Sequence, residues 1–217
     1  MKTDTELQRD VLDELGWDPR CNAAEIGVTA KDGIITLSGR VANFAEKATA
    51  VHAAQRVSGV KAVADDLAVR LPDIHERTDA DIAWAAVNVL TWNVFVPHDQ
   101  ITVTVHDGWI TLEGTVEWHY QRAAAEHVVH SLLGVRGVTN TITVTPTLTP
   151  TDVKTKIEEA FRRTAAFDAQ HIMVETEGRK VILSGHVRSW WEREEADAAA
   201  WAAPGVYEVE NRILVTP

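Results

Sequence analysis

One ten-residue stretch occurs three times in this chain, and it constrains the fold more than any other feature. It reads Asp32-Gly33-Ile34-Ile35-Thr36-Leu37-Ser38-Gly39-Arg40-Val41, then Asp107-Gly108-Trp109-Ile110-Thr111-Leu112-Glu113-Gly114-Thr115-Val116, then Gly178-Arg179-Lys180-Val181-Ile182-Leu183-Ser184-Gly185-His186-Val187. Each copy is a turn, an alternating strand and a glycine that ends the alternation. The step from Gly39 to Gly114 is 75 residues, and that from Gly114 to Gly185 is 71. Self-similarity at such a period means one supersecondary unit used repeatedly. The 217 residues therefore divide into units at 1–73, 76–146 and 149–217. Units of about 70 residues lie where a single core is marginal.

The register extends well beyond the strand. Thr3-x-x-Glu6, Thr78-x-x-Asp81 and Thr149-x-x-Asp152 each place a hydroxyl three residues before a carboxylate, which caps a helix start. Pro150 suits a first helical turn. Apolar residues follow at helical spacing: Leu7, Val11, Leu15; Ile82, Ala86, Leu90; Val153, Ile157, Phe161. A short loop carries Cys21, Val96 and Phe167 in equivalent positions, so Cys21 reads as a small packing residue. A β-hairpin comes next, with Asp-Gly turns at Asp32-Gly33 and Asp107-Gly108. A second helix buries Ala50, Ala53, Ala54, Val57; Ala125, Val128, Val129, Leu132; and Ala196, Ala199, Ala200, Ala203. Gly59, Gly134 and Gly205 close it, as glycine does at helix ends. A last strand alternates Leu67, Val69; Ile142, Val144; Ile213, Val215. The fold class expected is α+β: three tandem αββαβ modules, each a three-stranded mixed sheet with two helices on one face. The β-α-β crossover should be right-handed, with the last strand parallel to the second.

Charge narrows the partners. The net charge is −11, divided −3, −5 and −3 among the three units. None is basic, so no footprint for nucleic acid exists, and electrostatic attraction to anionic lipid is disfavoured. The N-terminus lacks an apolar signal core and no run reaches membrane-spanning length. With its single cysteine the chain reads as cytoplasmic as it stands, and periplasmic if a leader has been removed.

The strand pattern Ile35, Leu37, Gly39, Val41 and its equivalents, with the ending Gly134-Val135-x-x-Val138-x-Asn140-x-Ile142-x-Val144, resembles the BON domain. Gly205 to Val215 matches the same ending with Asn211, while the first unit has Asp65 in place of asparagine. The resemblance implies an αββαβ fold and a non-enzymatic role. It also implies association with osmotic or envelope stress and with phospholipid surfaces, as in the osmotically inducible protein Y group.

Little in the chain suggests catalysis. No nucleophile elbow, phosphate loop or H-E-x-x-H motif occurs, and neither cofactor nor metal is expected. His127 and His130, spaced i,i+3, fall short of a structural metal set and read as solvent-facing. His119 replaces Phe44 and Trp190 of the sister units, so it reads as a packing residue. Eight tryptophans are several times the usual share. Trp84, Trp109, Trp190, Trp191 and Trp201 lie off the apolar stripes, as rings at protein or lipid interfaces do. Alternation also places Met173, Ile182 and Leu214 on the outer sheet face of the third unit. These eight residues are the docking candidates, for an unidentified protein partner, a phospholipid surface or a second copy of the chain. The third unit's patch is equally open to burial against a neighbouring unit. Gly39, Gly114, Gly185, Gly59, Gly134 and Gly205 are read as structural. A small-ion sensor remains a more distant alternative.

Overall fold

The computed structural model describes residues 2–145, 153–163 and 171–216. The chain divides into two compact units, one of residues 1–40, 48–68 and 148–217, the other of 41–47 and 69–147. Three αββαβ modules run along it. The first is α1 (Asp4–Trp17), β1 (Ile26–Lys31), β2 (Ile34–Val41), α2 (Phe44–Arg56) and β3 (Ala62–Val69). The second is α3 (Asp79–Trp92), β4 (Ile101–His106), β5 (Trp109–Val116), α4 (His119–His130), β6 (Gly137–Asn140) and β7 (Thr143–Val144). The third is α5 (Val153–Arg163), β8 (Ile172–Glu177), β9 (Lys180–Val187), α6 (Trp190–Trp201) and β10 (Glu208–Val215).

The helix starts follow from their caps. Thr3 and Thr78 both form full capping boxes, with Glu6 and Asp81 bonding back to the cap residue. The corresponding Thr149–Asp152 signal, Pro150 and Phe167 lie outside the described residues. Leu7, Val11 and Leu15 are buried on α1, Ile82, Ala86 and Leu90 on α3, and Val153, Ile157 and Phe161 on α5. In the third module these residues join Val174, Val181, Leu183, Ala196, Ala200 and Ile213 in one apolar cluster. Alanine on α6 lets the helix backbone lie close to the strands.

Each sheet has the hairpin's second strand at its centre. The hairpins pair antiparallel, and the closing strands β6 and β10 run parallel to β5 and β9. The second module differs in one detail. Its last strand is interrupted at Thr141-Ile142, where the Asn140 side chain takes the Ile142 N–H at 3.1 Å. The Thr141 N–H still donates to the Leu112 carbonyl at 2.8 Å, and β7 continues alongside β5.

The glycine that ends each repeated strand has a steric cause. Gly39, Gly114 and Gly185 sit opposite Ile26, Ile101 and Ile172, the first residues of the partner strands. Their φ values are 118°, 148° and 123°. A Cβ at these positions would overlap the carbonyl oxygens of Glu25, Gln100 and His171. Only glycine permits so close a backbone approach with positive φ.

Candidate functional site

Among the described residues, the second module carries the largest concentration of apolar side chains in water. Helix α3 has no basic residue, and its only acids are Asp79 and Asp81 in the first turn. Beyond that turn its outer side presents Trp84 and Val87, spaced i,i+3 and so adjacent on the helix surface. They are 73% and 53% exposed. The last helical residue, Trp92, and the loop residues Val94 and Phe95 extend this surface, exposed by 84%, 90% and 60%. Val96 turns inward and is buried, which anchors that loop. Phe95 meets Tyr120 edge to face at 6.3 Å, and Tyr120 stacks on Trp118 at 6.5 Å. The α3 surface and the rings around Tyr120 thus belong to one module, at either end of the Trp92–Phe95 loop. Trp17 stands at the position of Trp92 in the first module and is just as exposed.

The eight docking candidates do not share one environment. Trp84 and Trp191 are exposed as expected. Trp109 is half exposed because it lies flat across its own sheet. Its indole N–H donates to Thr139 at 2.8 Å, and its ring occupies the space that a side chain at Gly137 would fill. Trp190 and Trp201 are partly buried against the third core. Trp190 also donates to Glu194 at 3.0 Å and lies under the Arg193 guanidinium, 4.8 Å from its centroid.

One placement is a correction. Met173 and Leu214 are exposed on the outer sheet face, but Ile182 is buried at 5%. Its central strand explains this. Ile182 stands between Glu175 on β8 and Glu210 on β10, so longer side chains flank it on both sides. The expected three-residue patch is therefore two separate apolar points on the two outer strands. They are set among charges: Lys180 bonds Glu208 and Glu210 at 2.9 Å each, and Arg212 bonds Glu210 at 2.6 Å. Those two cations hold the Glu210 carboxyl down at about 2.

The motif asparagines turn out to be clasps. Asn140 donates to the Arg122 carbonyl and to Glu126, both at 3.0 Å, while its own oxygen accepts from Ile142. Asn211 repeats this with the Arg193 carbonyl, Asp197 and Ile213. Each ties the last strand to the second helix. Asp65 keeps only the acceptor half, bonding the Leu67 N–H at 3.1 Å. The helix acid is gone there too, since Val51 stands where the sister modules have Glu126 and Asp197. The departure at Asp65 is visible in the sequence by itself, and the matching loss of the helix acid at Val51 is the signal that gives it meaning.

Other titratable groups have structural roles. Asp79 accepts from the Asp107 and Gly108 N–H groups at 2.9 and 2.8 Å, which lowers its pKa and fixes the hairpin turn. With His106 and Asp107 it brings three donor atoms within 4.8 Å, an exposed grouping whose central carboxylate is already committed to the turn. Burial, then the nearby Arg122 charge, lowers the His119 pKa to about 4, in keeping with a packing role. His130 lies 3.4 Å from Glu126, and the hydrogen bond lowers the Glu126 pKa.

A fold of repeated αββαβ modules, with exposed aromatic surface on one of them, defines a class of modular proteins built around small half-open sheets. The BON domain model matches residues 3–70, 78–146 and 150–217, and the chain belongs to that family. It is similar to osmotically-inducible protein Y of Escherichia coli (strain K12), with 32% identity over 124 residues. That match covers 54% of this chain and 61% of the relative, so less than two thirds of the relative is spanned. Among solved structures it is similar to CdsD, described as a structural protein of the type III secretion system of Chlamydia trachomatis. There the identity is 15% and the TM-score 0.28, with 96% and 91% of the two chains covered. A second structure, of the CdsD C-terminal domain, is 14% identical with a TM-score of 0.26 and covers the whole of both chains. Among the described residues no helix is long and apolar enough to cross a membrane.

Proposed function

We propose that this chain is a non-enzymatic, stress-associated binding protein that docks through the aromatic surface of its second module. The observation that carries this reading is the exposure of Trp84, Val87, Trp92, Val94 and Phe95 on one helix and the loop that continues it. A soluble surface rarely leaves that much clustered apolar area without an occupant. The relative's name links the family to osmotic stress, and the family resemblance suggests a phospholipid surface. Tryptophan and tyrosine suit the headgroup boundary of a bilayer, being apolar in body with a polar edge. The module's net charge of −5 makes that docking hydrophobic rather than electrostatic. A protein partner is the second reading, favoured by Met173 and Leu214 on the third module.

Flotation with zwitterionic and with anionic vesicles, at low and high salt, tests the proposal. Binding to both vesicle types should persist in high salt. It should fall at least about tenfold in a Trp92→Ala/Phe95→Ala variant, which loses two anchoring rings, and survive in Met173→Glu/Leu214→Glu. No flotation with either lipid would discard the bilayer as occupant and leave the protein partner.

A further inference from the structure

A groove of about 460 Å³ runs between α5 and strand β8 of the third module. Its helix wall is Lys154, Glu158, Phe161 and Arg162, and its strand wall is Ile172, Met173, Val174 and Glu175. The helix residues fall at i, i+4, i+7 and i+8, which is one stripe. The strand residues are consecutive and so include both faces of the sheet. The groove therefore follows the edge of β8.

That edge has hydrogen-bonding capacity pointing into it. The order β10-β9-β8 leaves β8 outermost. Glu177 and Lys180 close a two-residue turn, a geometry that makes them a mutually hydrogen-bonded pair. Bonded and non-bonded pairs alternate along an antiparallel ladder. Glu175 and Met173 are then bonded to β9, while Ile172, Val174 and Thr176 direct their N–H and C=O groups away from it. The first module confirms the alternation, because Val28 is the position equivalent to Val174. There the Gln8 amide on α1 donates to the Val28 carbonyl at 2.7 Å. Helix α5 has Lys154 in place of Gln8, and its ammonium lies 3.8 Å from Glu158. Among the described residues no side chain takes the Val174 carbonyl.

Charge decides what fits. On the helix wall Lys154 and Arg162 both face Glu158 within 4.0 Å. On the outer sheet face the cations are held by Glu208 and Glu210. Glu175 and Glu177, both exposed, are the charges of the β8 edge itself, and they add to the field that Glu210 sets around Arg212. A second copy of β8 would bring the same carboxylates against them, which disfavours self-pairing.

We propose that the α5–β8 groove accepts an extended peptide segment as an added strand, with apolar and basic residues in alternation. Its backbone bonds the outward groups of Val174 and Thr176. Its apolar side chains lie over the groove floor, where Phe161 and Ile172 line the opening though each is more than nine-tenths buried, and its basic side chains stand beside Glu175 and Glu177. Strand addition of this kind draws affinity from main-chain bonds and specificity from alternate side chains. The inference is independent of lipid docking by the second module.

The test uses the full chain and a synthetic hexapeptide alternating valine and lysine. Titration should shift the Val174 and Thr176 amide resonances. Lys154→Gln, which supplies the carbonyl cap seen in the first module, should weaken binding about fivefold to tenfold, and Glu175→Lys/Glu177→Lys should weaken it by a similar factor. All three substituted residues are at the surface, and unchanged circular dichroism will show that the fold is kept. The idea is overturned if the hexapeptide does not bind. It fails equally if a peptide N-methylated at its β8-facing amides binds as well, or if a valine–glutamate hexapeptide does.

Discussion

The second and third modules use one frame and distribute their apolar surface in opposite ways. In the second, α3 carries Trp84 and Val87 outward, while the outer sheet face is set with Thr102, Thr104 and Thr143 around Trp109, whose ring is held against the sheet by Thr139. In the third, α5 is charged on its outer side, with Lys154, Glu158, Glu159, Arg162 and Arg163. There the outer sheet face and its edge hold Met173 and Leu214. The core residues beneath are equivalent in both. The lesson is that the αββαβ core leaves two surfaces unspecified, one on a helix and one on the sheet. Each copy has committed a different one to solvent.

The comparison can be broken one module at a time. Gly114→Ala and Gly185→Ala each force a Cβ onto a carbonyl oxygen at a positive φ, and each should destabilise its own module by at least about 3 kcal/mol. If the modules divide the work as described, vesicle binding is lost only in the Gly114 variant. Loss in both would show that the third module is needed for lipid docking.

Clasp exchange should have a smaller effect. Asn211→Asp removes two donated bonds and sets a second carboxylate beside Asp197, whose pKa burial already raises. A loss of about 2 kcal/mol is expected in denaturant unfolding of the third module. Asp65→Asn should change the first module far less, because Val51 offers no acid to receive the amide.

The smallest effect concerns His119, where the modules differ by a titratable ring. Its pKa is lowered from 6.5 to about 4 in the folded state. The unfolded chain therefore binds the proton more readily between those values. The contribution is fully present above about pH 6.5 and is lost as pH falls toward 4. His119→Phe, which copies Phe44, should flatten that part of the second module's stability–pH curve and leave neutral-pH stability nearly unchanged.

The repeated strand, the caps at Thr3 and Thr78 and the helical stripes were all legible, because each depends on residues close in sequence. The outer surfaces were legible only by alternation, and that reading failed where neighbouring strands matter. Ile182 has outward parity, yet its in-register neighbours Glu175 and Glu210 bury it. Trp109 likewise faces outward, but Gly137 gives it a shelf on its own sheet. Val94 and Phe95 were not singled out, since a loop has no periodicity from which exposure can be inferred, and Tyr120 in the first turn of α4 precedes that helix's apolar stripe. Asn140 and Asn211 were recognised as a pattern, but their partners are 14 and 18 residues away in sequence.

The parallel pairing of the closing strands β6 and β10 bears on how the chain is made. Glu208 joins Lys180 and Gly137 joins Trp109, in each case 28 residues after its partner. During synthesis the central strand is made before its second neighbour, so one side of it has no strand to pair with until the closing strand follows. Translation proceeds at about 5–20 residues per second, so that interval lasts on the order of seconds. Arrival of the last strand, and of the asparagine that fastens it, turns a translation intermediate into a finished module.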